Sequence, residues 1–443
     1  MSKINQMLEN LDNSVWDIPS FYEKDKSITK KDLISVYEDN YGISDLSDAD
    51  SYSFSTNNED IWIVPSQSYL IVNAKLRRQD NGNEFLWADV PAIEADAPNN
   101  IVGQAAQTAQ NVTFEYNAFN YFQEARLYIN DQELERIDHL GIATLLHNLR
   151  KVNSYGDFYN FQNKELIQTR DDLLTMSRAQ HGNVELMLPL NKAFPMLNQV
   201  GHAFRGAKFR ITLTKADDAK CVTKVGAGTP NGKVVISKMV WKIPQVEPSL
   251  QMQAKLEQLL SKNSEFTVSW PAMNIYKLMP PKTTEIRVPL ASTIHKPSNV
   301  FVAFQNLNRS TSQEHRTMTF EQMHLEKLSC EVNSVKFPDK DLEIDFRATN
   351  KNILEAYNRF IESCDDGKSV LMNYKNFETE MPIYHIDISK HKPELYENSN
   401  FPNLVISAKF RIAPANDYIM YVMIQNEREA TLNFENKQMK VIR

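Results

Sequence analysis

Apolar and polar residues alternate with a period of two along much of this chain. Leu70 and Val72, for example, alternate with Ile71 and Asn73, and the pattern continues to Arg77. The same alternation occurs at 184–190, 209–213 and 404–412. Such a pattern is typical of strands that turn one face to a core and the other to solvent. The chain is therefore predicted to be rich in β-strands.

Helical spacing is limited to three short stretches, at 140–150, 249–265 and 351–362. In the first of them, Ile142, Leu145, Leu146 and Leu149 follow the i, i+3, i+4, i+7 pattern of an amphipathic helix. We predict a few short helices between the strands.

Two parts of the chain repeat each other. The letters AKFRI stand at 207–211 and again at 408–412. Upstream, LYINDQEL (127–134) aligns with VKFPDKDL (335–342). Each is predicted as a strand, a turn that contains Asp, and a return strand, with turns at Asn130-Asp131 and Pro338-Asp339.

Further features follow in the same order in both halves. After each predicted hairpin come a short helix, an aromatic-rich link, an apolar-Pro-apolar strand and finally AKFRI. The links are GDFYNF at 156–161 and MNYKNF at 372–377, and the strands are LPL at 188–190 and MPI at 381–383. Five features in one order, at offsets of about 200 positions, predict a duplicated β domain.

The predicted fold is all-β, with two tandem eight-stranded jelly rolls and short helices between strands. A unit of about 190 residues with long connections fits a jelly roll better than a small immunoglobulin sandwich. The predicted boundaries are an acidic prefix at 1–60, the first roll at 61–248, a linker helix at 249–265 and the second roll at 266–443.

Charge and composition exclude several classes of protein. The net charge is −7, and residues 1–60 hold 13 Asp and Glu against five Lys and no Arg, so the rest of the chain is close to neutral. Without a basic arm, strong nucleic-acid binding is not expected. No run of about 18 apolar residues and no signal-like N-terminus is present, so neither a membrane span nor secretion is expected.

The residue types of catalytic and metal sites do not form a recognisable arrangement. Cys221, Cys330 and Cys364 are odd in number and widely spaced, which fits neither a disulfide framework nor a zinc site. The GAGTPNG stretch (226–232) lacks the spacing of a phosphate loop and is predicted to be a flexible loop between strands.

The histidines give no stronger signal. His385 and Asp387 could share one strand face, but no His-x-His motif occurs, and we interpret both as solvated or hydrogen-bonded strand residues. His139 and His147 are eight positions apart, the wrong spacing for a shared metal on a helix.

Arg77, Arg78 and Lys151 are interpreted as solvated charges. We predict no catalytic, cofactor-binding or metal-ligating residue, no cofactor, and no enzymatic activity.

Over residues 58–415 the chain resembles the double jelly-roll major capsid proteins of Polinton/Maverick elements, adintoviruses and virophages. The resemblance is based on the order of degenerate apolar segments and departs from the family in the acidic prefix and in the missing Gly of both hairpins. The matching segments are IWIVPSQSYLIVNAKLRR, YNAFNYFQEARLYINDQEL, LGIATLLHNL, LPLNKAFPMLNQVGHAFRGAKFRITLTK, KVVISKMVWKIPQV, KPSNVFVAFQNLNR and FEQMHLEKLSCEVNSVKFPDKDLEIDF.

The resemblance implies a structural protein of a DNA virus. Three chains would form a pseudo-hexagonal capsomer, and such capsomers would tile an icosahedral shell. The expected partners are further copies of the chain, a single jelly-roll penton protein and minor capsid proteins. The expected location is the virion, assembled inside the host cell. The long connections 77–110, 153–183 and 308–320 would form the outer surface or clasp adjacent subunits.

Two other functions stay open from the sequence. A tandem jelly-roll carbohydrate-binding protein or hydrolase would carry a concave face with clustered aromatic and carboxylate side chains. A domesticated capsid relative that no longer assembles shells would have the same sequence features, and only assembly behaviour distinguishes it.

Overall fold

The computed structural model of the chain consists mainly of antiparallel β-sheets. It describes residues 28–37, 46, 49–56, 61–85, 111–115, 117–151, 181–199, 205–226, 228–262, 265–290, 294, 296–367, 372–389, 403–433 and 438–442.

The first half of the chain forms two facing sheets. One has the strand order β1-β11-β4-β8, with β3 beside β11, and the other has the order β2-β9-β6-β7. Strands β5 and β10 pair separately. The strands are β1 (Ile28–Tyr37), β2 (Ser51–Ser55), β3 (Trp62–Ile63), β4 (Tyr69–Arg78), β5 (Asn111–Phe114), β6 (Phe122–Ile129), β7 (Gln132–Asp138), β8 (Asn183–Pro189), β9 (Phe209–Lys215), β10 (Val222–Val225) and β11 (Gly232–Pro248).

The second half repeats the four-strand order of both sheets, without a counterpart of the β5-β10 pair among its described strands. Its sheets have the orders β12-β19-β14-β17, with β20 beside β19, and β13-β18-β15-β16. Successive strands mostly switch between the two sheets, apart from hairpins within one sheet such as β6-β7 and β15-β16. This connectivity is that of a jelly roll, so the predicted double jelly roll is confirmed. The strands are β12 (Glu265–Leu278), β13 (Glu285–Leu290), β14 (Pro297–Asn306), β15 (Leu325–Val332), β16 (Val335–Glu343), β17 (Ile383–Asp387), β18 (Leu404–Phe410), β19 (Tyr418–Asn433) and β20 (Gln438–Ile442).

Short helices connect the strands. The helices α1 and α7 occupy the same place in the two rolls, after the hairpins β6-β7 and β15-β16, and α5 joins the rolls. The helices are α1 (Leu140–Lys151), α2 (Leu190–Ala193), α3 (Pro195–Gln199), α4 (Asp218–Cys221), α5 (Leu250–Lys262), α6 (Asn308–Thr311), α7 (Leu354–Glu362) and α8 (Tyr374–Thr379), with 3-10 turns at Pro65–Gln67, Ala118–Tyr121 and Asp365–Gly367. None of the described helices is long and apolar enough to cross a membrane.

The hydrophobic cores lie between the facing sheets, as the period-two pattern requires. Along β4, Leu70 and Val72 are buried whereas Ile71 and Asn73 are only half-buried. In the second roll, the Phe304 ring of β14 meets the Phe410 ring of β18 edge-on, with 5.5 Å between centroids, and so joins the two sheets. The burial of alternate residues therefore confirms the predicted strand faces.

Two strands of the first pair of sheets precede residue 61. Strands β1 and β2 lie inside the segment 1–60 that was predicted to be a prefix. They complete the two sheets by pairing with β11 and β9. Of the β1 side chains that the structure describes, residues 32–37, Ile34 and Val36 pack against the core. The alternation there was too weak to mark a strand in the sequence.

The first predicted turn is confirmed and the second is wrong. Asn130 and Asp131 have φ of 49° and 64°, the left-handed conformation that a two-residue hairpin turn needs at both central positions. In the second roll the turn is Asn333-Ser334, with φ of 48° and 69°. Pro338 lies within β16, near a shift in the pairing register with β15. A Pro-Asp pair is a frequent turn, but here it belongs to an irregular edge strand.

The repeated AKFRI letters occupy corresponding strands but not corresponding positions. Phe209 begins β9 and pairs with Ile129 beside the first hairpin turn. At the same place in the second roll, Leu404 begins β18 and pairs with Val332. The second AKFRI therefore lies at the end of its strand, and its match with the first comes from the shared alternation of strands. The duplication itself is carried by the topology.

Two other predicted features fall outside the described residues. The aromatic link 156–161 and most of the connections 77–110 and 153–183 belong to the parts of the chain that the structure does not describe.

We predict that Gly141→Ala destabilises the protein, although Ala is the better helix former. A Cβ at Gly141, in α1, would lie 2.5 Å from Oδ1 and 2.7 Å from the Cα of Asn120. An unhindered helical Gly→Ala change raises the free energy of unfolding by about 1 kcal/mol, but this contact should reverse the sign. Urea unfolding measures the effect. Gly228→Ala, which meets no atom within 4 Å, is the near-neutral control, and a stabilised Gly141→Ala variant would contradict the close approach.

Candidate functional site: the contact between the two jelly rolls

The two rolls meet through different surfaces. The first roll contributes β7, α1 and α3, which pack against β12 of the second roll. The second roll contributes the outer face of the sheet β12-β19-β14-β17. Phe304 points inward to Phe410, so Phe301, three positions earlier on the same strand, points outward. The first roll thus covers a sheet face that would otherwise be exposed.

A buried guanidinium lies at the centre of this contact. Arg150, in the last turn of α1, is only 6 % exposed, and its guanidinium carbon lies 4.4 Å from the ring centroid of Phe301. Its Nη1 donates to Oε1 of Gln425 at 2.7 Å, and its Nη2 donates to the carbonyl of Ser363 at 2.7 Å. Three strands or loops of the second roll therefore converge on one side chain of the first.

Burial lowers the pKa of Arg150 but leaves the side chain charged at neutral pH. The loss of hydration lowers its pKa to about 10, while Cys364 and Asp365 favour the charged form. Arg150 therefore stays a cation at neutral pH, and its N–H groups have fixed acceptors. A buried cation whose donors are paired favours one relative position of the two rolls, because a shifted docking would leave the guanidinium without acceptors.

His385, on β17 of the second roll, packs against the same Phe301 ring as Arg150. Its ring stacks on Phe301, with 4.8 Å between centroids. Its Nε2 lies 2.8 Å from Oδ1 of Asn299 and its Nδ1 lies 2.9 Å from the carbonyl of Arg359. Burial lowers the pKa of His385 to about 4, so the ring is neutral at pH 7. His385 is thus a hydrogen-bonded strand residue, one of the two interpretations drawn from the sequence.

Lys151 also reaches across the contact. Its Nζ lies 2.8 Å from Oδ1 of Asp365, and both side chains are partly exposed, so Lys151 is a solvated charge that also pairs with the second roll. The other two charges of that group form local surface pairs, Arg77 with Glu84 and Arg78 with Asp80. Exposed pairs of this kind contribute little to stability, and the orientation of the rolls depends on the buried groups instead.

A second polar contact lies at the start of β11. Gln313 accepts a hydrogen bond from the N–H of Gly232 and donates one to its carbonyl, both at 2.7 Å. The N–H of Lys224 donates to the backbone carbonyl of Gln313 at 2.7 Å. The segment 308–320, predicted to lie on the outer surface or to clasp adjacent subunits, packs against the first roll of its own chain through Gln313 and Thr317.

A buried carboxylate belongs to the same region. Glu115 accepts hydrogen bonds at 2.9 Å from Oγ1 of Thr223, in its own roll, and from the N–H of Thr317, in the second roll. The Nε of Arg316 lies 3.8 Å from its other oxygen. The side chain of Glu115 is fully buried, so this ion pair orients the connection after α6 against the first roll.

A third group, Glu135 on β7, is buried without a full set of partners. Its Oε2 accepts a hydrogen bond from the N–H of Met196 at 3.3 Å, and Oε1 has none within the described part of the chain. Burial raises the pKa of Glu135 to about 8, although Met196, Arg428 and Trp270 favour the ionised form. The last two belong to the second roll, so this carboxyl lies where the rolls meet.

The remaining chemical candidates do not come together. Among the described residues, no group of three or more His, Cys, Asp or Glu side chains is placed to hold a metal ion. Cys221, Cys330 and Cys364 are free and buried, and burial raises the pKa of each thiol. His139 contacts Gln123 and Tyr421, whereas His147 is buried in α1. The described arrangement is suited to a mechanical function, the fixed docking of two similar units.

Sequence reasoning missed most of this contact. Arg150 follows Leu146 by four positions, so it stands on the apolar face of α1. A charged residue on the apolar face of a helix was the sequence feature that could have indicated this contact. Gln313 and Glu115 gave none, because their partners are distant in the sequence.

Comparisons with known proteins agree with the fold. The sequence model of the double jelly roll-like domain family matches residues 112–425. The fold is similar to the crystal structure of the mavirus major capsid protein, with a TM-score of 0.54 and 11 % identity over 93 % of this chain and 90 % of that one.

Two other solved structures are similar over most of their length. The Faustovirus major capsid protein has a TM-score of 0.53 and 8 % identity, with 90 % of both chains covered. A chain of the Sputnik virophage structure has a TM-score of 0.52 and 11 % identity, with 94 % of this chain and 89 % of that one covered. At these identities the likeness is one of fold. The search of curated proteins found no match.

We predict that Arg150→Ala lowers the free energy of unfolding by about 2–4 kcal/mol, because it leaves buried acceptors in the second roll unpaired. Lys151→Ala is the matched neighbour and should change this free energy by less than about 1 kcal/mol, since its ion pair is partly exposed. Chemical unfolding at pH 7 measures both. Equal effects of the two substitutions would contradict the central position of Arg150.

We predict that Glu135→Gln raises the free energy of unfolding at pH 7, by at most about 3 kcal/mol, because an amide has no proton that unfolding releases. The folded chain holds the proton of Glu135 up to a pKa of about 8, whereas the ordinary value is 4.5. The stability of the unmodified protein should therefore fall as pH rises from 4.5 to 8, by up to about 1.4 kcal/mol per pH unit. Glu133→Gln, on the same strand but partly exposed, is the control. An unchanged pH profile in Glu135→Gln would show that the carboxyl is ionised in the folded chain.

Proposed function

This chain belongs to the double jelly roll-like domain family, and from that premise we propose that it is a viral major capsid protein. It would form homotrimeric, pseudo-hexagonal capsomers that tile an icosahedral shell. The observation that carries the proposal is the fixed docking of two rolls with one topology, which makes a single chain a rigid pair of similar walls. The likeness to viral capsid proteins over most of both chains supports it.

Two similar rolls in one chain allow a trimer to present six similar units. Three chains bring six rolls around one axis, so a trimer presents a near-hexagonal outline without six identical subunits. Hexagonal tiles can cover a closed surface with few kinds of contact. The strands supply stiff walls, because their backbone hydrogen bonds are satisfied within the sheets.

The role that we propose is structural rather than catalytic, with no cofactor and no metal. The partners would be further copies of the chain, a single jelly-roll penton protein and minor capsid proteins. The protein would reside in the virion after assembly inside the host cell. Binding of the genome would be weak, since the chain carries a net charge of −7.

We also propose a division of the chain into building units. The first roll would start at β1 and end at Pro248, α5 would link the units, and the second roll would extend from β12 to the C-terminal strand. The acidic segment before β1 would be an arm. Because β1 and β2 pair with β11 and β9, we place the end of this arm before β1 rather than at residue 60.

The test is the mass of the purified protein by light scattering, with electron micrographs of the same peak. We expect particles of about three times 51.1 kDa with a hexagonal outline, or closed shells. A protein that stays monomeric at high concentration would contradict the proposal. Glycan and metal binding would then be measured, because the carbohydrate-binding or hydrolytic function would be the better account.

A further inference from the structure

Three basic side chains come together at the edge of the contact between the rolls. Lys220 lies in α4 and His139 directly precedes α1, both in the first roll, whereas Lys277 lies near the end of β12 in the second roll. All three are half-buried. Contacts between folded units usually oppose charges of unlike sign. Here positive groups of both units face each other.

The strand register places Lys277 on the face that the first roll covers. Lys277 lies opposite Tyr421 of β19, and Tyr421 lies opposite Ala303 of β14. Ala303 is two positions after Phe301, so these side chains share the outer face of the sheet. The His139 ring meets the Tyr421 ring edge-on, with 6.2 Å between centroids. Lys277 therefore lies beside the ring that His139 contacts.

Gln123, on β6, orients the two groups of the first roll. Nζ of Lys220 donates to Oε1 of Gln123 at 2.6 Å, and Nε2 of Gln123 lies 2.6 Å from Nδ1 of His139. An ammonium group can only donate, so Oε1 faces Lys220 and Nε2 donates to Nδ1. The neutral ring of His139 then carries its proton on Nε2 and keeps one N–H to donate.

The positive charges of this cluster are not compensated. Burial lowers the pKa of Lys277, and burial together with the charge of Lys277 lowers the pKa of Lys220. Burial and both lysines lower the pKa of His139 to about 4. Asp217 favours the charged form of Lys220, but it is exposed and already accepts the N–H of Ala219 at 2.9 Å. Neither lysine forms an ion pair within the described part of the chain, so their repulsion costs stability.

We infer that Lys220, Lys277 and His139 form a binding site for a phosphate-type oxyanion that bridges the two rolls. Two ammonium groups and one imidazole N–H offer donors to the oxygens of a tetrahedral anion. A phosphate group carries about two negative charges at pH 7, which matches the two lysines. The anion would contact both rolls and strengthen their docking within one chain, independently of how the chains assemble.

The test uses thermal unfolding and isothermal titration calorimetry at pH 7. Inorganic phosphate is titrated against chloride at equal ionic strength, because a ligand that binds the folded chain raises Tm as its concentration rises. Phosphate also stabilises proteins in general, since it is excluded from their surface. The decisive comparison is therefore with Lys277→Met and Lys220→Met, which each remove one charge of the site.

Two further variants are controls. Lys238→Met makes the same change at an exposed lysine of β11 that lies outside the cluster. Lys277→Arg keeps the positive charge in place. The side chain of Lys277 has no hydrogen-bond partner among the described residues, so Lys277→Met should fold normally. Without phosphate it should be at least as stable as the unmodified protein, because one of two like charges is gone.

We expect calorimetry to show phosphate binding that weakens about tenfold or more in Lys277→Met and in Lys220→Met. Lys238→Met should bind as the unmodified protein does, and Lys277→Arg should bind more tightly than Lys277→Met. Adenosine monophosphate is titrated in parallel, because a phosphate group could reach the site free or as a monoester. The probe that binds more tightly identifies the source.

Several results would overturn this site. They are the absence of binding of either probe, unchanged binding in both Lys277→Met and Lys220→Met, and an equal loss of binding in Lys238→Met. The proposed function is tested separately, by the mass of the associated protein, and would stand in each of these cases.

Discussion

The architecture depends on a cation buried where two similar units meet. Arg150 ends a helix of the first roll, lies over an aromatic ring of the second roll and donates to side-chain and backbone oxygens there. A guanidinium is costly to bury, and only one relative placement of the rolls satisfies its donors. Hydrophobic contact alone would hold two sheets together without fixing their angle. The polar groups therefore convert two domains into one rigid body.

The fixed docking of the rolls matters because the two rolls share one topology. Both rolls have the same strand order in both sheets, yet they use different surfaces to meet each other. The docking therefore joins two like units through unlike surfaces, so the contact within the chain is heterologous.

Much of the fold could be predicted from the sequence, because strand alternation and turn chemistry are local. The alternation at Leu70 and Val72 gave the buried face of β4, and Asn130-Asp131 gave a hairpin turn. Local signals failed where they were weak, as in β1, where Ile34 and Val36 are the described side chains that pack against the core. They misled where a common turn pair, Pro338-Asp339, lies inside an edge strand. The shared letters AKFRI matched by pattern and not by position.

The contact between the rolls could not be predicted in the same way. Gln313 binds the backbone of Gly232, and Glu115 binds the N–H of Thr317, more than 80 positions apart in each case. No spacing along the chain indicates such pairs, since they exist only after both rolls have folded. Of these residues only Arg150 could have been noticed in the sequence, because it is a charged residue on an apolar helix face. Function in this molecule lies in contacts between folded units, which is where a single sequence is least informative.

A cryo-electron microscopy reconstruction of the associated protein is the decisive measurement, because it shows how the two rolls of one chain dock and how the chains assemble. We expect a particle of six jelly rolls from three chains, in which Arg150 of each chain lies over Phe301 of the same chain. A particle with two-fold symmetry, or rolls that dock without this contact, would contradict the proposal.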